Sequence, residues 1–166
     1  MTETTKTGPE IDSCHSLFLR EATEPNENGL RLIVEEAIVL PDEVFVKIGG
    51  TEITGGPPVK STDRSRVFEI TWNNYVAYSL LNESFTVRDE SQEFSGRLFR
   101  TYTKSHFLDY VSRATIACKE YPGPLRHTEV LCECHVVDVV SVEFPQVREI
   151  RLPSYLHRRS SGSFVK

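Results

Sequence analysis

The chain has 166 residues, enough for one domain and crowded for two, and its 39% hydrophobic content suits a packed core that needs no disulfide or metal. A formal charge of −5 weighs against nucleic acid and anionic membrane as partners, because both favour a basic face. No apolar run approaches the ~20 residues of a membrane helix, and MTETTKTGPEID lacks the charged and apolar regions of a secretory signal, so a cytoplasmic protein is expected.

Residues 1–12 are polar without periodicity and read as a disordered tail; residues 13–153 read as one β-rich domain, and 154–166 as a flexible tail. Ser16 to Ala22 is a short apolar strand, turned by PNENG at Pro25–Gly29. Leu30, Leu32, Val34, Glu36, Ile38 and Leu40 alternate through a second strand that stops at Pro41. Glu43 to Ile48 is a third candidate. The stretch GGTEITGGPP (Gly49–Pro58), with four Gly and two Pro, reads as turn and loop. It is not a phosphate loop, because no helix follows it directly.

Arg66–Trp72 and Tyr75–Leu81 flank Asn73-Asn74, and Asn tolerates the positive φ of a two-residue turn. The pair reads as a hairpin with Trp72 opposite Tyr75, apolar on both faces and therefore central in its sheet. Gly96 to Thr103 is a further strand. SHFLDYVSRATIA (105–117) predicts a helix, with Ser105 as N-cap and Phe107, Leu108, Val111, Ala114 and Thr115 forming an apolar stripe. Arg126 to Phe144 then alternates over about 19 residues, longer than an ordinary strand, which predicts a bulge or bend near Asp138. The fold class expected is α+β, mainly β: a strongly curved antiparallel sheet, sandwich or half-barrel, with one covering helix at about 105–117.

The stretches FEITWNNYVAYSLLNESF, GRLFRTYTKSHFLDYVSRATIA and LRHTEVLCECHVVDVVS, spanning about residues 66 to 142, resemble a loosely defined group of small uncharacterised bacterial proteins. Some of that group are carried on mobile gene cassettes or beside toxin genes. The resemblance implies a bacterial origin and an immunity-like or cassette-borne binding role. It carries over no activity and no site.

Four chemistries are weighed on the residues themselves. Cys14-His15, His127 and Cys132-x-Cys134-His135 offer metal ligands, but Cys132 and Cys134 read as strand residues on one face with His135 on the other, so buried free thiols are expected and no metal or cofactor. The serines Ser84 and Ser105 have no sequence-evident base, so no catalytic residue is assigned. Asp138 is the one charge on an apolar face and needs a partner, which Arg100 or His127 would supply. Aromatic residues concentrate in the middle third beside the acidic run Asp89, Glu90 and Glu93, as a surface for a basic partner protein would. The binding residues read from these patterns are Trp72, Tyr75, Tyr78, Glu83, Arg100, Tyr102, His127 and Asp138. They point to a protein-binding module, docking a partner or a second copy of itself. The alternative is a small-molecule barrel or small enzyme with an interior pocket near Asp138.

Overall fold

The computed structural model describes residues 8–40, 44–48, 51–55, 58–87 and 89–156. A short helix α1 (Gly8–Asp12) leads into β1 (Ser16–Thr23), β2 (Leu30–Val39), β3 (Val44–Ile48), β4 (Thr51–Gly55), β5 (Val59–Lys60) and β6 (Val67–Trp72). The second half holds β7 (Tyr75–Asn82), β8 (Glu93–Ser95), β9 (Phe99–Lys104), helix α2 (His106–Ala114), β10 (Arg126–Leu131), β11 (His135–Ser141) and β12 (Gln146–Ile150). No helix among the described residues is long and apolar enough to cross a membrane.

All the strand pairs are antiparallel. One sheet has the order β1-β2-β6-β12, with β5 added to β2; the other runs β7-β11-β10-β9-β8, and β3–β4 is a separate hairpin. Period-two alternation turns Leu32 and Val34 of β2, Phe68 and Ile70 of β6 and Val147 of β12 inward. They meet Phe99, Val130, Val137 and Val139 of the second sheet. Each fully buried Leu, Ile, Val or Phe contributes about 1.5–3 kcal/mol. The result is an open α+β sandwich, mainly β, with one main helix, as the sequence predicts. Helix α2 packs on the outer face of the second sheet through the fully buried Val111.

Several local expectations are corrected. Strands β6 and β7 do not form a hairpin: β6 lies between β2 and β12, while β7 edges the other sheet. Asn73-Asn74 is thus a crossover between layers, and Trp72 sits opposite Leu30. The long run 126–144 is itself a hairpin, closed where the Cys132 N–H donates to the His135 carbonyl at 2.8 Å. Its pairing with β7 shifts register between Val140 and Ser141, where the extra residue is Val76 of β7, so the bulge expected near Asp138 lies in the neighbouring strand. Within the expected loop 49–58, Thr51–Gly55 pairs with β3 as a strand.

Residues at both ends of the described chain pack onto the sandwich. Ile11 is fully buried, and the Asp12 carboxylate accepts the backbone N–H groups of Arg97 (3.1 Å), Leu98 (2.7 Å) and Phe99 (2.9 Å). This contact follows a tight bend in which Gly96 has φ +93°, and a Cβ there would lie 2.1 Å from the Phe99 carbonyl oxygen. At the other end Leu156 packs on Ile33 and Val67, on the outer face of the first sheet. Residues 1–7 and 157–166 lie outside the described residues.

Candidate functional site

Two groups of polar and aromatic side chains stand out, one buried beneath α2 and one at the β7 edge. The buried group begins with register. His127 of β10 is opposite Tyr102 of β9 and Val140 of β11; Glu129 is opposite Arg100 and Asp138. Alternation therefore places His127, Glu129, Asp138, Arg100 and Tyr102 on the outer face, where α2 covers the sheet. Ser105, between β9 and α2, completes the set.

His127 Nε2 lies 2.9 Å from Asp138 Oδ1, and Nδ1 lies 2.7 Å from the Ser105 hydroxyl. That hydroxyl also accepts the Leu108 N–H at 3.0 Å, as an N-cap should. Ser79 of β7 donates to Asp138 Oδ2 at 3.1 Å. One donor order satisfies every group: Leu108 N–H to the Ser105 hydroxyl, the Ser105 hydroxyl to Nδ1, and Nε2–H to Asp138. Tyr102 stacks on the imidazole at 4.5 Å, and Phe107 of α2 meets it edge-on at 5.6 Å. Beside it, Glu129 accepts from Arg100 at 2.8 Å and from Tyr102 at 2.9 Å. Burial first, then the Glu129 carboxylate, pushes the Tyr102 phenol up to about 12.

Serine, histidine and aspartate in one line invite comparison with a nucleophile triad. Here the serine lone pairs serve the helix cap, and Ser105 and His127 are 2% and 1% exposed. An electrophile from solvent has no approach to Ser105. The arrangement ties the start of α2 to three strands, which is a clamp. Two surface concavities lie elsewhere: a cleft of about 290 Å³ beside Asn73, Asn74 and Phe144, and a shallow one of about 540 Å³ along α2. Neither includes Asp138, His127, Arg100 or Tyr102.

At the β7 edge, the Tyr75 and Tyr78 hydroxyls both donate to the same Glu24 oxygen, at 2.8 and 2.9 Å. Those hydrogen bonds hold both phenols above their ordinary range. Tyr78, Leu80 and Leu81 are 39%, 49% and 47% exposed, and Phe85, Val87 and Phe94 after them are exposed too. Among the described residues β7 has a strand partner on one side alone, β11. The Glu83 N–H donates to the Cys134 carbonyl beyond the last β7–β11 pair. By alternation Ser79 and Leu81 also face β11, so Tyr78, Leu80 and Asn82 direct their N–H and C=O groups away from the sheet.

Of the residues read from the sequence, Arg100, Tyr102, His127 and Asp138 come together in the clamp, with His127 rather than Arg100 meeting Asp138. Tyr75, Tyr78 and Glu83 belong to the β7 edge. Trp72 is 2% exposed inside the sandwich, on the layer opposite Tyr75, and belongs to the lining of the cleft beside Asn73 and Asn74 rather than to the β7 edge. Sequence reasoning missed Glu129, Glu24 and the base for Ser105. Glu129 lies two residues beyond His127, so it shares that face, a signal visible in the alternation itself. Among the described residues no three His, Cys, Asp or Glu side chains converge as a metal site requires. Cys132 is buried, while Cys134 is exposed in the hairpin turn. Compared with known proteins, the chain matches no family model, no curated protein and no solved structure.

Proposed function

We propose that this chain is a protein-binding module that takes an extended segment of another polypeptide along β7. One observation carries the reading: among the described residues β7 has no strand on its outer side. Sheet edges expose unpaired backbone groups, and proteins blunt them with charge, bulges or brevity. The other end strands of the two five-stranded sheets, β1, β12 and β8, are blunted. Strand β1 bulges between Leu19 and Glu21 at the charged Arg20, β12 carries Arg148 and Glu149, and β8 is three residues long. Strand β7 runs eight residues, YVAYSLLN, without a charge or a proline. Strand addition supplies main-chain hydrogen bonds there, and the exposed Leu80, Leu81, Phe85 and Val87 add apolar area.

An immunity-like role, in which the added strand belongs to a toxin, is one form of this function. The interior-pocket alternative draws no support from the region of Asp138, where clamp side chains and α2 occupy the space. The test is a binding assay of the immobilised chain against soluble copies of itself and the purified products of the flanking genes. Binding at micromolar strength or better by at least one, lost in Leu80→Pro, supports the reading. That substitution removes an outward N–H and leaves the β11 ladder intact. Binding by none, or equal binding by Leu80→Pro, overturns it.

A further inference from the structure

We infer that the strand added to β7 is the β7 of a second copy of this chain, antiparallel across a two-fold axis normal to the sheet; this rests on the docking reading above. Such an axis preserves the two faces of the sheet, so paired residue numbers must sum to an even value. Outward-directed residues of a strand alternate, so any pairing among Tyr78, Leu80 and Asn82 keeps to that rule and the charge pattern chooses among the registers. A register centred on Ser79 joins Tyr78 to the partner copy's Leu80, and Leu80 to its Tyr78. Ser79 faces its own symmetry mate, and Leu81 lies opposite Ala77. Every pair within the strand is uncharged, and the Glu24 carboxylate at this edge is held by the hydroxyls of its own Tyr75 and Tyr78.

Charge also selects the direction. Acidic side chains begin just past the strand, at Glu83, and continue through Asp89, Glu90 and Glu93. Parallel pairing would set the two acidic segments side by side. Antiparallel pairing moves their starts about 25 Å apart, the length of an eight-residue strand and well beyond a Debye length of about 8–10 Å. At the opposite end the edge closes itself: the Tyr75 N–H is taken by the Asn28 carbonyl at 3.0 Å. The free edge is thus the segment that the two-fold needs, and the second sheet would continue from five strands in one copy through five in the other.

The test is sedimentation equilibrium of the full chain from about 1 to about 200 µM, a span that covers dimers of micromolar strength. The expected result is a rise to twice the chain mass in the wild type. Leu80→Lys and Leu80→Pro should stay at single mass with melting temperatures near that of the wild type. A wild type that stays at single mass throughout overturns the inference. So does a dimer that persists in both folded variants, since it would use another face. If the wild type is single but a flanking gene product binds and Leu80→Pro abolishes that binding, the second-copy inference falls and the docking reading stands. If nothing binds, both fall.

Discussion

His127 and Asp138 are diagonal neighbours on adjacent strands, and they meet because the β10–β11 ladder sets them two positions out of register, with Nε2 2.9 Å from Oδ1. Removing either partner leaves the other buried without its hydrogen bond. Breaking such a pair costs about 3–5 kcal/mol. His127→Ala and Asp138→Ala should each lower the urea-unfolding free energy by about 3 kcal/mol, and Asp138→Asn, which keeps one acceptor for His127 and turns its amide N–H toward a Ser79 hydroxyl that can rotate to accept it, by about 1–2 kcal/mol. Ser105→Ala should cost about 2 kcal/mol, since it removes both the cap of α2 and the donor to Nδ1. Losses below about 0.5 kcal/mol for all of these would show that the clamp does not hold the helix.

Asp12 binds three consecutive backbone N–H groups at the entry to β9. Asp12→Ala strips all three of their acceptor, and Gly96→Ala forces a Cβ against the Phe99 carbonyl in the same bend. Each should cost about 2–4 kcal/mol by thermal or urea unfolding. Wild-type stability in a chain lacking residues 1–12 would contradict this role for the N-terminal segment.

The sequence reveals elements more readily than partners. Ser105 as a cap, α2, and the need of Asp138 for His127 or Arg100 all follow from local pattern. The connectivity of β6 and β7 does not. Both strands alternate well on either side of Asn73-Asn74, and a local pattern is the same for a hairpin as for a crossover between layers. The turn at Glu133-Cys134 is hidden for another reason: it has no Gly or Asn, and the period-two alternation runs through it unbroken. Strand β4 was masked by its Gly and Pro neighbours. The clamp was half legible, since residues of one face can be paired by alternation, whereas the approach of Ser105 depends on where α2 lands.

Buried thiols set the alkaline limit of stability. Burial pushes Cys14 up to about 11 and Cys132 up to about 12, from an ordinary value near 9. The unfolded chain therefore loses these protons first. The contribution is complete below pH 9 and is lost as pH rises through the folded values; Tyr102, pushed up to about 12, acts in the same sense. Unfolding free energy should fall steadily between pH 9 and 12. At pH 8 the exposed Cys118 and Cys134 should react with a thiol reagent in the native protein, while Cys14 and Cys132 react after denaturation. Four equally fast thiols in the native state would contradict the burial on which this rests.

The most direct measure of docking along β7 is amide hydrogen exchange, residue by residue, as protein concentration rises. In dilute protein, Ser79 and Leu81 should be protected by β11, while Tyr78, Leu80 and Asn82 exchange as open amides. On assembly with a second copy, or on adding a bound flanking gene product, the three open amides should slow by at least about tenfold, as amides do when paired. If Tyr78, Leu80 and Asn82 keep their open rates when a complex has formed, the edge of β7 is not the docking surface.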